Sequence, residues 1–190
     1  MLLYELTEKG PDILATIEKD CKPFLSLIGG DISKYRMFRG MPFSRNSGNI
    51  FRKQIRLDDR RPMSTADIKH DRYNHFFQEV YGQPFRNSLF ATGDRKMAKY
   101  YGYPFVVFPI GNFDWLWSKD VNDLALDIHF PPVAGFHNVP PTQEVIDDKL
   151  EFAGYRKNHD LPGAIKSGNE IMIRGKEYYA VRTAVSLKGK

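Results

Sequence analysis

The chain has 190 residues, and its 28 lysines and arginines outnumber 23 acidic side chains, which gives a net charge of +5. A 42% hydrophobic fraction predicts one globular domain with a real core, and the sequence has no apolar run near the roughly 18 residues that a membrane span needs. The single cysteine, Cys21, excludes an intrachain disulfide and a cysteine-based metal site. The N-terminus lacks the pattern of a signal peptide, so a cytoplasmic protein without membrane association is expected.

The first third of the chain predicts a packing helix followed by a strand. Apolar spacing indicates a helix over residues 5–28, and residues 35–38 then favour a strand that closes at Arg39-Gly40 before Pro42. An arginine at a strand end can hold a phosphate or ribose oxygen, and the glycine lets a flat ligand approach the backbone. The same Arg-Gly pair is also compatible with an exposed arginine before a turn that binds no ligand.

The segment 50–61 is basic, and two interpretations of it stay open. Its arginines and lysine can track a phosphate backbone, or they can form a solvated face that pairs with Asp58 and Asp59. A helix is predicted over 62–82, capped by Ser64 or Thr65. His70 and His75 in that helix do not share a face and form no HExxH pattern, so no metal site is predicted.

The centre of the chain predicts a strand, a tight turn and a helix. Residues 88–91 are the strand, 92–93 the turn, and Asp94 the helix N-cap. Such a unit holds one aromatic ring, that of Tyr100 or Tyr101, over whatever lies at the end of the strand.

The second half predicts further strands and helices. Residues 103–110 are typical of a buried strand, Trp115 and Trp117 indicate a strand or an aromatic loop, and a short helix runs to residue 126. A long loop over 130–142, of a length that is often functional or mobile, precedes a helix to about residue 155. The last element is a hairpin with strands over 169–173 and 177–183, and Glu170 stands at the start of its first strand.

Three of these segments, in this order, resemble the ADP-ribosyltransferase superfamily. M-F-R-G at 37–40 is similar to the first core strand of the family, and F-A-T-G-D-R-K-M-A-K-Y at 90–100 is similar to the Phe-Ala and Ala-x-Tyr of its polymerase branch. G-N-E-I-M-I at 168–173 resembles the strand that begins with the catalytic glutamate.

The resemblance implies an α+β fold, namely an ADP-ribosyltransferase-like split antiparallel β-sandwich flanked by helices, with NAD in the cleft. It implies a single domain over 1–190, in which residues 1–30 lead into a transferase core over 35–185. Glu170 and Arg39 would be catalytic. The residues expected to bind NAD are Arg39, Gly40, Phe90, Thr92, Tyr100 and Tyr101.

The resemblance implies a specific role for five of these residues. Arg39 would contact the nicotinamide ribose or a phosphate, and Gly40 would offer backbone hydrogen bonds to the carboxamide. Tyr100 matches the position that stacks on the nicotinamide ring. Thr92 lies near the Ser/Thr position of the second core strand. Glu170 would bond the ribose 2′-hydroxyl and stabilise the positive charge that develops when the glycosidic bond breaks.

The implied function is mono-ADP-ribosyl transfer from NAD to a protein or nucleic-acid acceptor, with release of nicotinamide and without a metal. The resemblance extends to the small transferases of phages and viruses, for which the host cytoplasm would be the location. Gly168 stands where arginine-specific members carry an acidic residue or Gln two positions before the glutamate. Arg39 in place of histidine favours transfer of a single unit.

The sequence is also compatible with other functions. An NAD glycohydrolase and an RNA 2′-phosphotransferase-like enzyme would share the fold. A non-catalytic binding module for nucleic acid or protein would instead use the basic residues 52–61 and the segment of Trp115 and Trp117.

Overall fold

The computed structural model describes residues 4–6, 10–43, 48–60, 65–128 and 140–184. The first half of this part of the chain contains two N-terminal helices, one long helix and four strands. In chain order these are β1 (Tyr4–Leu6), α1 (Gly10–Asp20), α2 (Lys22–Leu27), β2 (Phe38–Met41), β3 (Ile50–Gln54), α3 (Asp67–Tyr81) and β4 (Leu89–Thr92).

The second half contains four helices and five strands among the described residues. They are α4 (Arg95–Tyr100), β5 (Tyr103–Ile110), β6 (Asp114–Trp117), α5 (Leu124–Asp127), α6 (Gln143–Phe152), β7 (Arg156–Lys157), α7 (Leu161–Ser167), β8 (Glu170–Arg174) and β9 (Glu177–Arg182). The predicted α+β class is confirmed, because helices accompany a sheet whose neighbouring strands are all antiparallel.

The sheet is held together weakly at one place. Its strand order is β1-β3-β9-β5-β2-β4-β8-β6-β7. The central neighbours β2 and β4 share a single residue pair, Phe38 with Thr92, whereas β4 and β8 share four and β5 and β9 share six. The strands therefore diverge between β2 and β4, and this divergence leaves room for a cleft.

Side chains from β8 point alternately into two separate cores. Ile171 and Ile173 belong to the larger core, which also receives α1, α2 and α7. Met172 belongs to a second core beneath α3 and α6, together with Leu116 of β6. This period of two is what a strand buried on both faces requires.

The N-terminal region differs from the single predicted helix over 5–28. Residues 4–6 form β1, which pairs with β3, and the helical part is divided at Cys21. Pro23 lies in the first turn of α2 and has no N–H to continue a helix from α1, which explains the division.

Two other boundaries also differ. Arg39 and Gly40 lie inside β2 and do not close it. The long helix α3 begins at Asp67 with Ala66 as N-cap, and the hydroxyl of Thr65 accepts a hydrogen bond from Arg86 instead of capping the helix. The other predicted cap, Ser64, lies outside the described residues. The proposed long loop 130–142 also lies outside them, except for residues 140–142.

The strand-turn-helix unit at the centre of the chain is confirmed. The Asp94 carboxylate accepts a hydrogen bond of 2.7 Å from the Lys96 N–H and caps α4. A Cβ at Gly93 would lie 1.6 Å from the Ile165 carbonyl oxygen, so only glycine lets this turn pack against α7. In the described ranges, no helix is long and apolar enough to cross a membrane, and no group of His, Cys, Asp or Glu could hold a metal ion.

Candidate active site

A cavity of about 550 Å³ lies where β2 and β4 diverge. This volume is typical of a site for a small organic ligand. The residues that line the cavity come from β2, β4, α4, α5, the head of β8 and the segments around them: Phe38, Arg39, Gly40, Pro42, Arg56, Arg60, Arg86, Phe90, Ala91, Thr92, Met97, Ala98, Tyr101, Asn122, Asp123, Ala125 and Glu170. The structure thus brings together all but one of the predicted site residues.

Glu170 is held by its backbone at the head of β8. It lies opposite Thr92 in the ladder with β4, and its N–H donates a 2.9 Å hydrogen bond to the Asn122 carbonyl. The preceding side chain, Asn169, donates to the carbonyls of Ser118 and Lys119. These bonds fix where the carboxylate enters the cavity.

The Glu170 carboxylate forms an ion pair with Arg86. The Arg86 Nη1 lies 3.3 Å from the Glu170 Oε1, and the side chains are only 1% and 12% exposed, respectively. Arg86 Nη2 donates to the Thr65 hydroxyl, while the buried Nε has no hydrogen-bond partner among the described residues. Glu170 is therefore the acidic partner of one of the most deeply buried charges in the fold.

The loop that carries Arg86 is anchored on both sides. The Arg86 N–H donates to the Asn74 side chain of α3 at 2.9 Å. Arg174 of β8 donates from one Nη1 to the carbonyls of Pro84 and Asn87, both at 2.8 Å. Because these bonds fix the backbone around Arg86, its guanidinium is preorganised next to Glu170.

Burial raises the pKa of Glu170 to about 7. The positive charges of Arg86 and Arg60 act in the opposite direction, and the negative charge of Asp123 adds to the rise. A hydrogen bond from the Leu124 backbone also favours the ionised form. A carboxyl group that titrates near neutral pH suits both charge stabilisation and proton acceptance.

Two arginine side chains lie over the aromatic ring of Phe90. The guanidinium carbon of Arg60 lies 4.0 Å from the centre of the Phe90 ring, and that of Arg86 lies 4.6 Å from it. Arg39 Nη1 donates a 2.8 Å hydrogen bond to the Phe90 carbonyl. Phe90 therefore contacts three guanidinium groups, which lie together at one wall of the cavity.

Two of these guanidinium groups, those of Arg39 and Arg60, differ from Arg86 in their ion pairing. Among the described residues, no carboxylate lies within ion-pair distance of Arg39 or Arg60. Burial, with the charges of Arg39 and Arg86 nearby, lowers the pKa of Arg60 to about 9. The concentration of positive charge makes this wall favourable for an anion.

Gly40 lines the cavity, but its missing side chain serves a structural purpose. A Cβ there would lie 2.2 Å from the Ala98 carbonyl oxygen and 2.7 Å from the Tyr101 carbonyl carbon. The glycine therefore lets α4 lie directly on β2. The sequence predicts that a flat ligand approaches the backbone here, whereas in the structure the end of α4 occupies this space.

Thr92 connects the two strands on either side of the site. Its hydroxyl donates to the Gly168 carbonyl and accepts a 3.0 Å hydrogen bond from the Asp94 N–H. Gly168 ends α7 with a positive φ of 79°, a conformation that favours glycine. This helix end accounts for a glycine two positions before Glu170.

The aromatic ring over the cavity belongs to Tyr101, and the assignment to Tyr100 is corrected. Tyr101 lines the cavity, and its hydroxyl donates to Asp123, whose carboxylate also caps α5. The Tyr100 side chain is 84% exposed and does not line the cavity. The two tyrosines are adjacent at the end of α4, where a shift of one residue turns the direction of the side chain by about 100°. The two rings therefore face different directions.

The basic and aromatic segments suggested for a non-catalytic binding module are largely engaged in contacts within the protein. Trp115 and Trp117 are 6% and 8% exposed, and both indole N–H groups donate to the His159 carbonyl. Arg52 pairs with Glu177, and Arg56 pairs with Asp59. The tryptophans therefore belong to the core and provide no open stacking surface.

The sequence patterns do not identify three residues of the site. They give no role to Arg86 or Asp123, and they include Arg60 only in a basic stretch. A signal for Arg86 exists, because it is the one charged residue in the segment 82–88 between α3 and β4. A comparison of the chain with models of known protein families, with curated proteins and with solved structures finds no match.

Proposed function

We propose that the protein is a mono-ADP-ribosyltransferase that uses NAD as the donor of ADP-ribose. The observation that carries the proposal is the position of Glu170. This largely buried carboxylate projects from a strand head into a cavity that also contains an aromatic ring and two arginines that form no ion pair with any described residue.

The architecture supports an ADP-ribosyltransferase-like split sandwich. The single pair between β2 and β4 separates the group β1-β3-β9-β5-β2 from the group β4-β8-β6-β7. The three segments that resemble the superfamily supply β2, β4 with α4, and β8. These elements surround the cavity.

The residues of the cavity fit the chemical groups of NAD. Arg39 and Arg60 provide two positive charges that no acidic side chain of the described ranges pairs with, and these match the two negative charges of a pyrophosphate. Tyr101 offers an aromatic face, and Met97 and Ala98 add apolar surface. Glu170 would accept a hydrogen bond from a ribose hydroxyl.

In the proposed reaction, a nucleophile on the acceptor attacks C1′ of the nicotinamide ribose. The bond between C1′ and the nicotinamide nitrogen breaks, and nicotinamide leaves as a neutral molecule with the bonding electrons. The nucleophile loses its proton to the Glu170 carboxylate or to solvent. The ionised carboxylate stabilises the positive charge on the ribose in the transition state.

The proposal is tested by incubating the protein with NAD labelled in its adenylate group and a cell lysate. Label that reaches protein or nucleic acid with the parent protein, and not with Glu170→Gln, is the expected result. Free ADP-ribose without a labelled acceptor would assign the site to hydrolysis, since water is then the nucleophile. Label transfer at equal rates by both proteins would contradict the role of Glu170.

We expect Tyr101 to contribute more to NAD binding than Tyr100. Tyr101→Ala removes the ring over the cavity and should raise the Kd for NAD about tenfold, which is typical for the loss of one stacked ring. Tyr100→Ala is the matched control and should leave the Kd nearly unchanged. Calorimetric titration measures both, and equal effects would contradict the assignment of the ring.

We expect the kcat/KM for NAD cleavage to fall about tenfold per pH unit as the pH drops below about 7, because protonation neutralises Glu170. Asp123→Asn removes a negative charge that raises this pKa, so the decline should move to lower pH. Asp120→Asn, at an exposed ion pair with Lys119, is the control. An identical pH profile for Asp123→Asn would contradict the coupling.

A further inference from the structure

The outer face of α4 is basic and aromatic, and it lies next to the cavity. Met97 and Ala98 of this helix line the cavity, while Arg95, Lys96, Lys99 and Tyr100 are exposed. Lys96 and Tyr100 are four residues apart and therefore lie on the same side of the helix. We call Arg95, Lys96, Lys99 and Tyr100 the α4 face.

Within the described chain, the positive charges of the α4 face are not neutralised. No carboxylate among those residues forms an ion pair with Arg95, Lys96 or Lys99. Arg95 donates only to the Thr183 hydroxyl, at 3.3 Å. The nearest acid in the sequence, Asp94, is used as the cap of the helix.

Tyr100 distinguishes this surface from an ordinary basic helix. Its side chain is 84% exposed, which leaves a large aromatic surface in water beside two lysines. Stacked bases and neighbouring cations are the two means by which proteins bind single strands of nucleic acid. An acidic peptide would satisfy the lysines but would leave the ring of Tyr100 without a partner.

We propose that the α4 face binds a single-stranded nucleic acid, with phosphates on the basic side chains and a base on Tyr100. The inference rests on the proposed function, because it identifies this strand as the acceptor of ADP-ribose. A nucleotide near the stacked base would then be close to the cavity, which Met97 and Tyr101 line together with Glu170. A single strand is favoured over a duplex, since a base within a duplex would first have to leave the stack.

The test is fluorescence anisotropy with labelled single strands of DNA and of RNA, each about 12 nucleotides long, in the absence of NAD. Tyr100→Ala should weaken binding about 5- to 100-fold. Lys96→Ala and Lys99→Ala should each reduce the slope of log affinity against log salt concentration by about 0.7. The controls are Phe152→Ala, at an exposed ring on α6, and Lys19→Ala and Lys22→Ala on α1 and α2.

Three results would overturn this inference: no binding of either strand, equal losses in the control variants, or Tyr100-dependent binding of a labelled polyglutamate peptide that is as tight as that of the strands. The last result would assign the face to an acidic protein. Because binding is measured without NAD, its failure differs from a failure to cleave NAD. Lys96→Ala and Lys99→Ala should also retain the NAD cleavage of the parent in the absence of any oligonucleotide.

Discussion

Arg86→Met is expected to lower the free energy of unfolding by about 3–5 kcal/mol. The substitution leaves the Glu170 carboxylate inside the protein without the cation that lies 3.3 Å away. A methionine restores much of the volume but none of the charge. Urea denaturation at about pH 8.5, above the pKa of about 7 that Glu170 has beside Arg86, measures the effect.

The double variant Arg86→Met/Glu170→Gln separates the ion pair from packing. Replacement of both charges removes the unpaired ion, so the double variant should recover a large part of the lost stability. Lys119→Met, which removes an exposed partner of Asp120, should change stability little and serves as the control. If the double variant loses as much as the two single variants added together, Arg86 and Glu170 do not stabilise each other.

Glu170→Gln is expected to reduce NAD cleavage by at least about 10²–10³-fold. Glutamine fills nearly the same space and can still form a hydrogen bond with a hydroxyl. It carries no negative charge, however, to stabilise the positive charge on the ribose. Nicotinamide release under single-turnover conditions measures the chemical step directly.

Because Glu170 is also the partner of buried Arg86, the rate must be compared at equal amounts of folded protein. Glu177→Gln, at a partly exposed strand residue that pairs with Arg52, should cleave NAD as the parent does. The folded double variant Arg86→Met/Glu170→Gln should be inactive, which would separate loss of chemistry from loss of folding. A folded Glu170→Gln protein that cleaves NAD at the parent rate would remove Glu170 from the mechanism.

The parts of the site that the sequence predicts correctly are those that local patterns determine. Asp94 precedes a helix and caps it, because a short carboxylate before a helical segment satisfies free N–H groups. Glu170 stands before Ile171, Met172 and Ile173, and such an apolar run predicts a buried strand that begins at its polar residue. These elements are determined by the local sequence alone, without contacts to distant segments.

The parts that were missed depend on contacts between distant segments. Arg86 and Glu170 are 84 positions apart, and no spacing rule connects a loop arginine to a strand glutamate. The sequence leaves Arg60 open between a phosphate-binding stretch and a solvated face, since nothing local shows that Phe90 lies beneath it. The Arg-Gly pair predicts space for a ligand at Gly40, because the sequence does not reveal that α4 occupies the same space.

Nicotinamide release by the purified protein is the most direct test of whether this cavity cleaves NAD by means of Glu170. The protein is incubated with NAD, and the products are separated by chromatography, with folded Glu170→Gln as the reference. We expect nicotinamide to accumulate with the parent protein and not with the variant. Intact NAD, together with no heat of NAD binding to the parent protein, would contradict it.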